Sequence, residues 1–159
     1  MFHEGYTYNI RERRLKGMEK LRIKVHEETL GITERSLTAL RNELARRVDH
    51  SVQIFQMPSA DGEHCHCYGI LIIDLTTAEA VIVGDGFRGD SGGEGGAGHR
   101  AAESLLCLFG FNQILELETL TDFREGADYS KQIEEATRFR DEVRVPADQK
   151  AGYIDWVVR

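Results

Sequence analysis

The residues best suited to chemistry lie in one glycine-rich stretch, 84–98, which reads GDGFRGDSGGEGGAG and holds half of the chain's 16 glycines. It follows the apolar run 80–83 and precedes a helical pattern that begins at His99. Successive glycine N–H groups and a helix N-terminus together favour a negatively charged ligand such as phosphate. Arg88 and Arg100 could contact the phosphate directly, and Asp85 or Asp90 could accept hydrogen bonds from ribose hydroxyls.

This pattern predicts a ligand site, although a mobile surface loop explains the same composition equally well. A divalent-cation site is a third interpretation, but the acidic spacing does not follow the EF-hand ligand series. We therefore predict no metal site, no cofactor and no catalytic residue. The predicted ligand-binding residues are Gly84, Asp85, Gly86, Arg88, Asp90, Gly93, Gly95, Gly96, Gly98, His99 and Arg100.

A second candidate is the sequence His64-Cys65-His66-Cys67. On a strand, the two histidines would share one face and the two cysteines the other. Tetrahedral zinc would need two further ligands, which no paired spacing elsewhere supplies. We favour two thiols facing the core and two exposed histidines at the mouth of a hairpin.

Composition limits the classes of function. The chain has 159 residues and a net charge of −7, and its first 50 residues are basic while the remainder is acidic. No apolar run approaches the roughly 20 residues of a membrane span, and no secretory signal is visible. The chain has three cysteines, an odd number, which indicates reduced thiols and not a set of disulfides. We therefore expect a cytoplasmic protein. An acidic balance disfavours binding along nucleic acid.

The elements that would position these residues follow from periodicity. We predict an arm over 1–17 and one α+β domain over 18–159, with a mixed or antiparallel sheet and helices packed on one face. The predicted order is β-α-β-β-β-α-β-α-β. Strands are predicted at 20–26, 51–57, 65–75, 80–83, 114–120 and 153–158, and helices at 33–48, 99–109 and 130–143. Exposed strand edges make a homo-oligomer plausible.

Two resemblances concern the same stretch. Gly62, His64 and Tyr68, followed by Gly84-Asp85-Gly86, are similar to landmarks of the double-stranded-RNA-binding domain, although residues 98–103 read GHRAAE where that family has lysines. Residues 80–83 and 95–102 resemble the strand and glycine loop of ADP-ribose-binding macrodomains, without the asparagines that should follow the strand. Both resemblances imply a phosphate-bearing ligand at the loop.

The sequence thus predicts a binding protein for a small phosphate-bearing ligand, nucleotide-derived, that regulates or sequesters it without catalysis. One alternative is an RNA-binding module that uses a basic face; a protein–protein interaction subunit is the other. The basic face would comprise Lys20, Arg22, Lys24, His26, Arg41, Arg46 and Arg47.

Overall fold

A mixed five-stranded sheet forms the centre of the computed structural model, which describes residues 21–60, 66–88, 93–111 and 114–138. Within these residues the sheet has the order β1-β4-β3-β2-β5. The predicted single α+β fold with a mixed sheet is confirmed. The strands are β1 (Arg22–His26), β2 (Val52–Pro58), β3 (Cys67–Asp74), β4 (Glu79–Arg88) and β5 (Leu115–Glu116).

Three α-helices cover the described sheet: α1 (Thr33–Ala45), α2 (Gly93–Leu108) and α3 (Ser130–Thr137). A short 3-10 helix (Glu27–Thr29) lies between β1 and α1. The first two helices share one apolar cluster with one face of the sheet, and α3 shares a second cluster with the other face. Helices therefore lie on both faces rather than on one.

Alternation along the central strands divides the core between these two clusters, because successive side chains of a strand point to opposite faces. On β3, Ile70 and Ile72 face α1 and α2, whereas Leu71 and Ile73 face α3. All four side chains are fully buried. A strand buried on both faces reads as a continuous apolar run, which explains the unbroken centre of β3 in the sequence.

Strand direction brings four strand ends to the same side of the molecule. β1 is parallel to β4 and β5 is parallel to β2, whereas β3 is antiparallel to both of its neighbours. The carboxyl ends of β1, β2, β4 and β5 therefore meet at one side of the sheet, here called the carboxyl edge. The chain leaves β4 for α2 at this edge.

Several boundaries differ from the sequence expectation. β4 continues to Arg88 and α2 begins at Gly93, so the predicted loop over 84–98 is mostly strand and helix. The helix after β1 ends at Ala45 instead of residue 48. Gly110, with a φ of 92°, follows the end of α2. The predicted arm and the predicted strand 153–158 lie outside the described residues.

The segment after β5 is fixed to α3 by one carboxylate. Glu135 accepts hydrogen bonds from the backbone N–H groups of Glu118 (2.6 Å) and Thr119 (2.8 Å). Burial raises the pKa of Glu135, but these hydrogen bonds outweigh it and the net pKa lies below the usual value. None of the described helices combines the length and the apolar character that a membrane crossing requires.

Candidate functional site

The predicted ligand-binding residues occupy the junction between β4 and α2 at the carboxyl edge. Gly84, Asp85, Gly86 and Arg88 belong to β4, and the residues from Gly93 onward belong to α2. Open α/β sheets bind ligands beyond the carboxyl ends of their strands, where helix N-termini also present unpaired N–H groups. Asp90 lies outside the described residues.

Gly84 and Gly86 are required by close packing of the segment that begins α1. A Cβ on Gly86 would lie 2.7 Å from the backbone carbon of Ile32, and a Cβ on Gly84 would collide with the Leu30 side chain. The Ser36 hydroxyl donates to the carbonyl of Gly84 (2.8 Å), and the Thr33 hydroxyl donates to that of Gly86 (2.6 Å). These two carbonyl groups are therefore bonded within the fold.

The amide of Gly84 and the carboxylate of Asp85 are also bonded within the fold. Gly84 N–H donates to the Thr29 hydroxyl at 3.0 Å. Asp85 Oδ1 accepts from the backbone N–H of Gly31 at 2.7 Å, and Gly31 has a φ of 71°. The start of the glycine stretch consequently joins β4 to the segment before α1.

Gly98 serves the packing of the two helices on one face. A Cβ at this position would collide with Cγ2 of Thr33, the first residue of α1. The Thr33 hydroxyl donates to the carbonyl of Gly86. One threonine thus contacts both the strand and the second helix, because glycine at 86 and 98 leaves it room.

His99 is held between two side chains that the sequence analysis did not select. Its Nδ1 lies within hydrogen-bond distance of the Tyr68 hydroxyl, and its Nε2 lies 2.9 Å from Glu103 Oε1. Since a carboxylate only accepts, Nε2 carries the proton that is donated to Glu103, which leaves Nδ1 to share a hydrogen bond with the Tyr68 hydroxyl. Burial and, secondly, the Glu103 charge raise the pKa of Tyr68.

The spacing of four residues between His99 and Glu103 on a helix could have revealed that pair from the sequence. No local signal connects Tyr68 to His99, which lies 31 residues away. Arg100 is exposed and Arg88 is half-buried. Arg100 lies at the eighth position of α2, not in its first turn, because the helix begins at Gly93.

A separate groove lies between β1 and α1 and has a volume of about 910 Å³. Lys24 and His26 of β1 line it from one side, and α1 lines it from the other. Glu43 of α1, only 1% exposed, lies at its base. The groove lining includes Lys24, His26, Glu28, Arg35, Asn42 and Arg46.

Glu43 collects four cationic or titratable partners. Lys24 Nζ lies 3.2 Å from its Oε1, and Arg46 contacts the same oxygen. Arg47 lies 3.3 Å from Oε2, and His26 Nε2 lies 3.7 Å from Oε1. The pKa of Lys24 is lowered, first by burial and then by the charges of Arg46 and Arg47. The charges of Glu79 and Glu28 oppose this lowering.

The basic face expected for an RNA-binding module is divided by the fold. Arg22, Lys24, Arg41 and Arg46 are exposed. Arg47 is buried and contacts Glu43, Asp74 and Glu79 instead. Lys20 lies outside the described residues.

The predicted His-Cys pattern is only partly described. His66 is exposed, Cys67 is half-buried, and His64 and Cys65 lie outside the described residues. Among the described residues, no group of three or more histidine, cysteine, aspartate or glutamate side chains is placed to hold a metal ion.

Comparison with known proteins finds no family model, no curated protein and no solved structure that matches this chain.

Proposed function

We propose that the protein binds a small phosphate-bearing, nucleotide-derived ligand where β4 passes into α2. The observation that carries this proposal is the position of the α2 N-terminus. Only four residues separate Arg88 at the end of β4 from Gly93 at the start of the 16-residue α2, and this junction lies at the carboxyl edge. Backbone N–H groups at such a helix start favour phosphate.

The position of Arg100 favours a ligand that extends beyond a single phosphate group. Arg100 follows Gly93 by seven residues, which corresponds to about 10 Å along the helix axis. A nucleotide can place its phosphates at the helix start while a second polar group reaches Arg100. His99 precedes Arg100 in α2, and its ring is held by Tyr68 and Glu103. It therefore belongs to the same part of the proposed site as Arg100.

The test is a thermal-shift screen of nucleotides and nucleotide-derived signals. A ligand present at about 100 times its Kd should stabilise the protein by roughly 2.7 kcal/mol. If every member of the panel leaves the Tm unchanged, the proposal is wrong. A flat panel combined with binding of a protein partner would favour the interaction-subunit alternative.

Arg100→Ala tests the position of the site. Arg100 is exposed, so its loss should change the free energy of unfolding by at most about 0.5 kcal/mol. Binding of the best nucleotide should weaken by about 1.5–3 kcal/mol, the range for a hydrogen bond to a charged group. Arg124→Ala, which removes an exposed arginine paired with Asp122, is the matched control. Equal affinity of both variants would exclude Arg100 from the site.

A further inference from the structure

The groove between β1 and α1 has the features of a second ligand site that is separate from the proposed one. β1 is an edge strand of the described sheet, and α1 packs its apolar face over the central strands. The β1 side chains on that face, Lys24 and His26, therefore line an open groove instead of being covered by a helix. Thr33 and Gly98 mark the opposite side of α1, where it meets α2.

At one end of this groove, two cationic side chains share one carboxylate. Lys24 and Arg46 both contact the single Oε1 of Glu43. The third cation, Arg47, is also balanced by Asp74 (3.1 Å) and Glu79 (3.4 Å), so it does not depend on Glu43 alone. Two groove-lining cations thus share one buried carboxylate oxygen, and a second anion would be favoured beside them.

Lys24 and Arg46 have N–H donors that do not contact Glu43, and these donors are suited to a ligand with oxygen acceptors. An ammonium group has three N–H donors and a guanidinium group has five, and neither group is saturated by one carboxylate oxygen. Lys24 is 43% exposed and Arg46 is 57% exposed, so both heads remain accessible. Asn42, one helical turn before Arg46, adds a neutral donor to the same wall.

The acidic groups of the groove are engaged or distant. Glu28 lies 3.0 Å from Nδ1 of His26. Glu34 occupies the first turn of α1, where the helix dipole favours an acid, and it lies about 18 Å along the axis from Arg46. Glu34 is therefore distant from the Lys24–Arg46 end, whereas Glu28 reaches it through His26, whose Nε2 lies 3.7 Å from Glu43 Oε1.

We propose that the Lys24–Arg46 end of this groove binds the oxyanion, phosphate or carboxylate, of a small ligand. The oxyanion accepts hydrogen bonds from Lys24 and Arg46 while both remain attached to Glu43. Glu43 holds the two cationic heads together and so prepares the site before the ligand arrives.

Amide chemical shifts of isotope-labelled protein would test this site. The full chain is titrated at constant ionic strength with inorganic phosphate and, separately, with succinate. Phosphate recognition predicts saturable shifts at residues 24–28 and 35–46 with phosphate, and carboxylate recognition predicts them with succinate. In Lys24→Met/Arg46→Met, the Kd of the active probe should rise at least about tenfold, because charge-assisted hydrogen bonds are lost.

The control Arg124→Met/Arg138→Met removes two exposed positive charges elsewhere and should leave the Kd unchanged. Glu43 retains Arg47 in the groove variant, and an unchanged amide spectrum away from the groove confirms its fold. Lys24→Arg keeps the charge and should bind within about threefold of the original protein.

Absence of saturable shifts with both probes would overturn the proposal, as would equal affinity of the groove variant. The result is independent of the α2 site, because shifts at residues 93–100 report that site separately and respond to Arg100→Ala. Loss of one set of shifts with retention of the other therefore identifies which of the two proposals fails.

Discussion

At the scale of single residues, the glycines at 84, 86 and 98 are explained by steric contact. Each leaves too little space for a Cβ, and the obstructing atoms belong to Leu30, Ile32, Ser36 or Thr33. A phosphate-binding loop and a tight contact between a strand and a helix both require glycines, so the two cannot be told apart in the sequence. Only the neighbouring atoms reveal the packing contacts at these three positions.

Gly98→Ala should destabilise the protein by about 1–3 kcal/mol, as overpacking of a close contact does. Helix propensity alone predicts the opposite, a gain of up to about 1 kcal/mol for replacing glycine within a helix. Chemical denaturation of the purified variant measures the sign. Stabilisation by Gly98→Ala would contradict the contact with Thr33.

Thr33→Ser provides the matched rescue for that variant. It removes Cγ2, the atom that a Cβ at position 98 would meet, and it keeps the hydroxyl that donates to Gly86. The double variant should therefore be more stable than Gly98→Ala alone.

At the scale of elements, buried ion pairs fix the end of α1 to the sheet. Arg47, the second residue after α1, contacts Asp74 at the end of β3, and Asp74 Oδ2 lies 2.7 Å from Nδ1 of His50. The other oxygen of Asp74 accepts from the backbone N–H groups of Thr76 (2.9 Å) and Thr77 (3.1 Å) in the turn before β4. One carboxylate thus joins a helix end, a strand end and a turn.

Asp74→Asn should cost about 1.5–3 kcal/mol at pH 7, because buried Arg47 loses this partner while it keeps Glu43 and Glu79. Burial raises the pKa of Asp74, but hydrogen bonds from His50 and Thr77 outweigh it and lower the pKa below its ordinary value of 3.8. Because the Asp74 carboxyl has a lower pKa in the folded protein than in the unfolded chain, its ionised form stabilises the fold at pH values above the unfolded pKa. This stabilisation is lost as the pH falls through the folded-state pKa.

The stability difference between the original protein and Asp74→Asn should therefore be constant above about pH 5 and decrease at lower pH. Urea denaturation from pH 7 to 3 measures it. Asp122→Asn, at an exposed carboxylate paired with Arg124, should show little difference at any pH. A difference for Asp74→Asn that persists unchanged to pH 3 would refute the ionised role of this residue.

At the scale of the whole molecule, one sheet carries an apolar core on each face. Leu40 of α1 belongs to the first core and Ile133 of α3 to the second. Because β2, β3 and β4 contribute side chains to both cores, neither core can separate without exposing the other face of the same strands. We therefore expect the described sheet and its helices to unfold together.

Leu40→Ala and Ile133→Ala should each lower the free energy of unfolding by about 2–5 kcal/mol, since both side chains are buried. Each should leave a single transition. Denaturation followed by far-ultraviolet circular dichroism measures the free energy of unfolding and the number of transitions. Hydrogen exchange at amides of the helices on both faces shows whether the two cores open together. Leu120→Ala, at a side chain that is 59% exposed, should change stability by no more than about 0.5 kcal/mol. Loss of exchange protection on only one face would contradict a shared unit.

The sequence by itself determined the features that depend on neighbours along the chain. Alternation identified β1 and β2, and the apolar centre of β3 identified a buried strand. Helical spacing located α1 and the later part of α2, because side-chain periodicity is a local property. The α+β class followed from the order of these elements.

The tertiary structure alone decided which of these local features are brought together. It placed α3 on the second face, buried Arg47 among three carboxylates, and paired Tyr68 with His99. It also converted part of a glycine-rich stretch into a contact surface for α1. Contacts between residues distant in sequence leave no periodic signal, so the same glycine or arginine can face a ligand, solvent or another element until the packing is known.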